Sequence, residues 1–320
     1  MLKRLLVPLD GSDSAEYVFP HVVTLARAFG SEIVLLHVMD PAQLGDPLHM
    51  VDPLQWSVDR TEATLYLNSI VARLQKVGLS VQPVILEGRA HERITEFARR
   101  FDLTILCTQG RSGPSEWRVG SVTQKVLSRL GSSVLLIRAY PSAVRGMTES
   151  RYQRLLVPLD GSMRAESVLP MASALAQSCI AQLQIAHVVS QLKIPHRLPP
   201  TQAEREMLQK VTESSHQAAT SYLEQLQYQL SVKPRIHVLN GENVANALQS
   251  LADREHTDLM ILCAHGHTGD ARRTYGNVTA NLITDGNMPL LILQDIAAPP
   301  DPAPIVQPAR QREIPRHALG

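Results

Sequence analysis

Two short segments carry the residues whose types and spacing could do chemistry. The first is Asp10-Gly11-Ser12, directly after the apolar run Arg4–Leu9; it recurs as Asp160-Gly161-Ser162. Asp and Ser both favour helix N-cap positions, where their side-chain oxygens accept from orphan amides. Ser12 suits that role, whereas Asp10, at the strand end itself, is placed to accept from a ligand's exocyclic amine. The second segment runs from Gly110 through Gly113 to Gly120, Ser121 and Val122, and returns as Gly266, Gly269, Gly276, Asn277 and Val278. Glycines let backbone amides approach phosphate oxygens closely, and the N-terminus of a following helix adds partial positive charge. Ser121 would cap that helix and could donate its hydroxyl to a phosphate; Asn277 lacks the hydroxyl but can still cap. Arg111 and Arg118, or Arg272 and Arg273, are candidate countercharges.

Other chemistries find little support. The chain has no Gly-x-x-x-x-Gly-Lys-Ser/Thr, no HExxH, no Gly-x-Ser-x-Gly and no convincing carboxylate pair. Cys107 and Cys263 fall within apolar strands, where small core residues are the plain reading. Cys107, Cys179 and Cys263 are far apart and form no CxxC, which fits a reducing compartment and argues against a disulfide scaffold or a zinc knuckle. His265 and His267 could be imagined as metal ligands but lack a partner cluster. His37 and His187 end a strand, where they suit a pocket wall better than catalysis.

The segments recur because the chain is duplicated. Residues 4–12 reappear unchanged as 154–162, His37-Val38 pairs with His187-Val188 at the same offset of 150, and Leu106-Cys107 pairs with Leu262-Cys263 at 156. Each copy alternates apolar, β-branched runs with helical spacing. In the first copy strands are expected at 4–9, 32–38, 81–86, 103–107 and 133–137, and helices at 12–29, 57–77, 90–100 and 121–130. The second copy repeats the strands at 155–159, 184–188, 235–239, 259–263 and 290–293. Strands apolar throughout, each followed by a helix, describe a doubly wound α/β domain with a parallel sheet covered on both faces. Ligands in such sheets bind outside the carboxyl ends of the strands, where the strand order reverses. The expected organisation is a first domain at 1–140, a linker at 141–151, a second domain at 152–296, and a disordered Pro-rich tail at 297–320.

Composition excludes further classes. With 320 residues and 44% hydrophobic residues the chain can bury two cores, which excludes a wholly disordered protein. Lys+Arg 31 against Asp+Glu 30 leaves no global field for nucleic acid or an anionic membrane. Aromatic residues at 4% disfavour a base-stacking surface, and no apolar run is long enough to span a bilayer. The opening residues, Met1 to Leu6, reach a proline and an aspartate too soon for a signal peptide, so a cytoplasmic location is expected.

The strand ending in Leu-Leu-Val-Pro-Leu-Asp-Gly-Ser, the His-Val pair, and the Gly-x-x-Gly…Gly-Ser segment resemble the universal stress protein family, as a tandem two-domain member, over nearly all the chain except the tail. The resemblance implies a five-stranded parallel sheet in the order 3-2-1-4-5 in each copy, and ATP held between the first and fourth strands. It implies that Asp10 and the backbone of Val38 contact adenine, that Pro8 lines the pocket, and that Gly110, Gly113, Gly120, Ser121 and Val122 surround the ribose and phosphates. The matching residues of the second copy are Pro158, Asp160, Val188, Gly266, Gly269, Gly276, Asn277 and Val278. The ATP-binding form of the motif usually has nine residues between its second and third glycines; both copies here have six, which suits a different grip on the triphosphate or a shorter nucleotide.

The implied protein is a stress-response regulator binding adenine nucleotide without efficient catalysis: ATP, with Mg2+ as accompanying ion, or ADP or AMP. Slow ATP hydrolysis stays open. The alternatives are a nucleotide-independent, dimerising scaffold with degenerate pockets, and an AMP-transferring enzyme of the related α-hydrolase superfamily. The last strand of each domain is an edge with unpaired backbone groups. The resemblance implies pairing through it, either between the two domains of one chain or in a homodimer, beside a protein partner that the sequence does not name.

Overall fold

In a computed structural model, the described residues are 2–40, 53–109, 119–139, 146–150, 152–190, 201–267 and 273–294. The first copy contains β1 (Arg4–Pro8), α1 (Phe19–Phe29), β2 (Glu32–Met39), α2 (Pro53–Lys76), β3 (Val81–Glu87), α3 (Ala90–Ala98), β4 (Leu103–Cys107), α4 (Ser121–Leu127) and β5 (Ser133–Ile137). The second contains β6 (Arg154–Pro158), α5 (Met163–Glu166), α6 (Leu169–Cys179), β7 (Gln182–Ser190), α7 (Gln202–Gln229), β8 (Arg235–Gly241), α8 (Val244–Arg254), β9 (Leu259–Cys263), α9 (Asn277–Asp285) and β10 (Leu290–Leu293). Within each copy all strands are parallel, in the order β3-β2-β1-β4-β5 and β8-β7-β6-β9-β10. This is the doubly wound arrangement expected from the sequence. The two sheets join into one of ten strands through the antiparallel pair β5–β10, with Leu135 opposite Leu291.

One expected helix is divided. The periodicity predicts a single helix over 12–29, but the structure has a 3-10 segment, Asp13–Val18, followed by α1. Proline has no N–H and its ring clashes with the carbonyl four residues back, so Pro20 is tolerated only in the first turn of a new helix. Pro170 divides α5 from α6 in the same way.

Burial follows the sheet's alternation. Leu5 and Val7 pack with Val22, Leu25, Leu67 and Ile70 on one face; Leu6 packs with Ile94, Phe97, Val126 and Leu127 on the other. The amino ends of the central strands are stapled by a carboxylate. Asp102 Oδ2 accepts from the amides of Lys3 (2.6 Å) and Arg4 (2.8 Å), and Asp258 Oδ2 accepts from Gln153 (2.6 Å) and Arg154 (2.7 Å).

The copies are tied together beyond the strand pair. Arg138, buried just past β5, donates to the carbonyls of Leu282 (2.8 Å) and Ile283 (2.7 Å) near the end of α9, where the helix dipole favours a cation. Residues 146–150 of the expected linker lie along α1, with Ser150 N–H donating to Pro20 O (3.1 Å) and Arg27 paired with Glu149. The buried Tyr152 hydroxyl meets His21 Nδ1 at 2.6 Å, and burial pushes the His21 imidazole down to about 4. The remaining linker residues and the tail 297–320 lie outside the described residues.

The turn after the first long helix of each copy shows how the duplicates diverged. Gly30 follows α1 with φ +64°, whereas its counterpart Ile180 follows α6 with φ +54° and is 94% exposed. A β-branched residue in the left-handed region is strained by roughly 1–2 kcal/mol, and this one gains no packing in return. Ile180→Gly should therefore raise the unfolding free energy by about 1 kcal/mol in denaturant titration; unchanged or lower stability would contradict the reading.

Candidate functional site

The cleft begins with a missing hydrogen bond. Leu9 N–H donates to Leu36 O on β2 (2.8 Å), so by alternation the nitrogen of Pro8 faces β4, where proline has no hydrogen to give. β1 and β4 pair only at Leu5–Leu103 and Leu6–Thr104, and beyond that they part. β6 and β9 behave alike, pairing only at Leu155–Leu259 and Leu156–Met260 with Pro158 beyond. The carbonyl of Cys107 at the end of β4 accepts instead from Thr123 Oγ1 of α4 (3.0 Å), and Cys263 O accepts from Thr279 Oγ1 of α9 (3.1 Å).

In the first copy this opening is a cavity of about 700 Å³ at the carboxyl ends of β1, β2 and β4, lined by Pro8, Asp10, Val38, Gly120, Ser121 and Val122 together. Every described member of the first expected set therefore faces one space; Gly110, Gly113, Arg111 and Arg118 lie outside the described residues. The volume falls within the roughly 300–1,000 Å³ range of small-molecule sites. Asp10 Oδ1 accepts from Ser12 N–H (3.0 Å) and Ser12 Oγ–H (2.6 Å), and Ser12 Oγ in turn caps Ala15 N–H (3.2 Å). Ser12 is thus the cap the sequence suggested. The His37 ring is held through Nδ1 on Leu9 O (2.9 Å), as is His187 on Leu159 O (2.9 Å), so both serve as braces of the cleft wall.

The glycine segment ends differently from the expectation. Gly120, not Ser121, is the N-cap of α4, with ψ 154° and its carbonyl accepting from Gln124 N–H (2.8 Å); Gly276 has the same role at α9, so Asn277 does not cap either. Gly120 donates to Thr108 O, and a Cβ on it would stand 3.3 Å from that oxygen, so the segment returns close against the strand end. This leaves Ser121 exposed at the first helical position, beside the cleft.

In the second copy Asp160 reaches the segment that follows β9: its Oδ2 accepts from His267 N–H (2.7 Å), and a Cβ on Gly266 would collide with that oxygen. His265 is buried, with Nε2 on Arg273 O (2.7 Å), and Arg273 Nη1 reaches Asn277 Oδ1 (3.3 Å). Pro158 ends β6, Val188 lies in β7 and Val278 packs partly into the core, each at the place matching the first copy; Gly269 and Arg272 lie outside the described residues. With His265 occupied in this way, the metal reading loses its base, and among the described residues no group of three or more His, Cys, Asp or Glu could hold a metal ion.

Sequence reasoning missed the wall formed by α2. Asp59, Glu62 and Tyr66 line the cleft with Asp10 and Asp40, and no Lys or Arg is among its described lining residues. Asp40 Oδ2 accepts from Ala90 N–H (3.0 Å) at the start of α3. Burial, with the Glu16 and Asp10 carboxylates adding to it, raises the Tyr66 hydroxyl well above its ordinary value, so it stays neutral. Burial likewise pushes the Cys107 thiol up to about 11, which keeps it protonated and a poor nucleophile. The spacing of 59, 62, 63 and 66 along one helix face was the available signal.

A parallel sheet wound on both faces, with a cleft at its β1/β4 switch point and a glycine-capped helix beside it, defines a doubly wound α/β protein. A profile described as "Universal stress protein family" matches residues 1–138 and again 151–294, so the chain belongs to that family, with two of its domains in tandem. Universal stress protein Slr1230 of Synechocystis is 22% identical over 312 residues, covering 91% of this chain and 99% of its own length. Universal stress protein MJ0577 of Methanocaldococcus jannaschii is 29% identical over 155 residues, 43% of this chain and 96% of its own. The crystal structure of a universal stress protein from Archaeoglobus fulgidus shares the fold with a TM-score of 0.66 at 16% identity, covering 91% of this chain and 98% of that one.

The Asp160 contact in the second copy offers a test. Burial favours its neutral form, but the Ser162 hydroxyl and the His267 and Ser162 amides outweigh that and lower its pKa. A carboxylate held lower in the folded chain stabilises above the unfolded value of about 3.9 and loses that contribution as pH falls through the folded value. Asp160→Asn should therefore lower stability at neutral pH, and its difference from wild type should begin to shrink below about pH 4 and vanish only once the pH has fallen past the lower, folded-state value. A pH-independent difference in melting temperature would contradict this account.

Proposed function

We propose that this chain is a stress-response regulator whose first copy takes an adenine nucleotide in the cleft between β1 and β4, with at most slow hydrolysis. The ligand set is ATP with Mg2+, ADP or AMP. The observation that carries the reading is the convergence of Asp10, Val38 and the Gly120–Ser121 turn on one cavity at the switch point. Asp10 supplies an acceptor for the adenine amine, the Val38 backbone lies beside it, and Gly120 and Ser121 form the end of the site where a phosphate fits. Among the described lining residues no nucleophile–base pair is formed: the Cys107 thiol is held protonated and the His37 ring bonds Leu9 O. Described side chains do not suffice to chelate Mg2+, so the ion would arrive on phosphate oxygens and water.

In this reading the second copy is a structural partner rather than an equal site: Asp160 Oδ2 is engaged by the His267 amide, and Asn277 stands where the first copy has the Ser121 hydroxyl. The proposed assembly unit in solution is the single chain, with β5 and β10 satisfying one another's edges. Three cysteines, none of them in a disulfide, fit residence in the cytoplasm.

Mass spectrometry of the denatured protein should identify a co-purified adenine compound, and calorimetry should show adenine nucleotide binding with one site per chain. Asp10→Ala should weaken it about tenfold or more, the value of one hydrogen bond to a charged group. Absence of any adenine ligand at millimolar concentration would sink the proposal.

A further inference from the structure

The α2 wall points to what this cleft selects. Its described lining carries four carboxylates, Asp10, Asp40, Asp59 and Glu62, and no Lys or Arg. Asp10 and Asp40 have work in the backbone turns already described, so Asp59 and Glu62 are the two whose charge the fold does not require. Asp59 Oδ1 accepts from Gln55 Nε2 (2.9 Å), while its Oδ2 is buried with no hydrogen-bond partner. Between the wall and the strand ends lies the buried Tyr66 hydroxyl, also without a partner. The carboxylates do not converge as ligands of a cation, since no three acidic or histidine side chains among the described residues come close enough. They act as a diffuse negative field.

The second copy provides an internal comparison. Ala63, Tyr66, Leu67 and Ile70 correspond to Ala219, Tyr222, Leu223 and Leu226 at an offset of 156, with the alanine and the two aliphatic positions buried in both helices. On that register Asp59 is replaced by Ser215 and Glu62 by Ala218. The tyrosine also differs in state: Tyr222 donates to Glu166 (2.9 Å), whereas Glu16 is engaged by Arg73 (2.9 Å) and leaves the Tyr66 hydroxyl unsatisfied. The acidic wall and the unused neutral hydroxyl therefore belong to the first copy alone. Residues 110–118, outside the described residues, carry Arg111, Glu116 and Arg118.

We propose that Asp59 and Glu62 are specificity-determining residues that make the first-copy cleft select a nucleoside or a nucleoside monophosphate and reject a triphosphate. This rests on the adenine-nucleotide reading of the same cleft. A cavity of this volume is on the order of 10 Å across, comparable with the ~8 Å screening length at physiological ionic strength, so every phosphate in it feels the wall. Each additional phosphate charge meets like charges on α2, while the base and ribose offer donors to carboxylates and a partner to the Tyr66 hydroxyl.

The test is calorimetric titration of the full chain with adenosine, AMP and ATP, with and without Mg2+, at low and physiological salt. Wild type should bind adenosine or AMP at least tenfold tighter than ATP, and added salt should strengthen ATP binding by screening the repulsion. The double variant Asp59→Ser, Glu62→Ala, which installs the second copy's residues, should narrow the ratio about tenfold by gaining affinity for ATP. ATP binding equal to or tighter than AMP in wild type, weakened by salt, would overturn the proposal while leaving the nucleotide site standing. Tight binding of ATP only with Mg2+ would also overturn it, in favour of a metal-bridged triphosphate. No binding of any of the three would overturn the underlying reading instead. The salt dependence needs only wild type, so an unstable variant does not remove the test.

Discussion

A proline nitrogen without a hydrogen governs this structure. Pro8 stands at the end of the central strand, on the side that faces β4, and Pro158 repeats it on the side that faces β9. Two strands stapled together at their amino ends by Asp102 must separate at their carboxyl ends, because the ladder lacks a donor there. The separation creates the cleft, frees the Cys107 carbonyl for Thr123, and so fixes α4 over the opening. The Asx turn of Asp10 and Ser12 then carries the chain away from the gap into the 3-10 segment. Every later feature of the site stands on that local defect in hydrogen bonding.

Duplication added a second constraint. Two edge strands with unpaired backbone are a liability, and the β5–β10 pair removes both within one chain. The junction is not symmetric in chemistry: Arg138 of the first copy holds the end of α9, while Thr274 of the second donates to Ser128 O at the end of α4 (2.9 Å). Once paired in this way the copies could diverge. At the wall the two sequences differ: the first copy carries Asp59 and Glu62 on α2, where the second has Ser215 and Ala218 on α7.

Much of this was legible from residue types. The unbroken apolar strands, the 150-residue repeat and the Asp-Gly-Ser and glycine segments pointed to the switch point, where Pro8, Asp10, Val38, Gly120, Ser121 and Val122 line one cleft. Pro20 and Pro170 were visible too, and they divide the helices that periodicity alone ran together. What sequence could not show depends on three-dimensional register. Gly120 displaced Ser121 as cap because the turn closes on Thr108 O, a contact between residues twelve apart that no spacing rule anticipates. Asp102 reads as an ordinary loop acid until its carboxylate is seen on the amides of β1. The charge of the α2 wall emerges only when the helix is laid across the strand ends.

The most direct test is a crystal structure of the full chain grown with AMP. Density is expected in the first copy alone, with the adenine amine on Asp10, the base beside Val38 and the phosphate at Gly120 and Ser121. An empty first cleft at saturating ligand, or a nucleotide seated in the second copy with the Asp160–His267 bond broken, would contradict it.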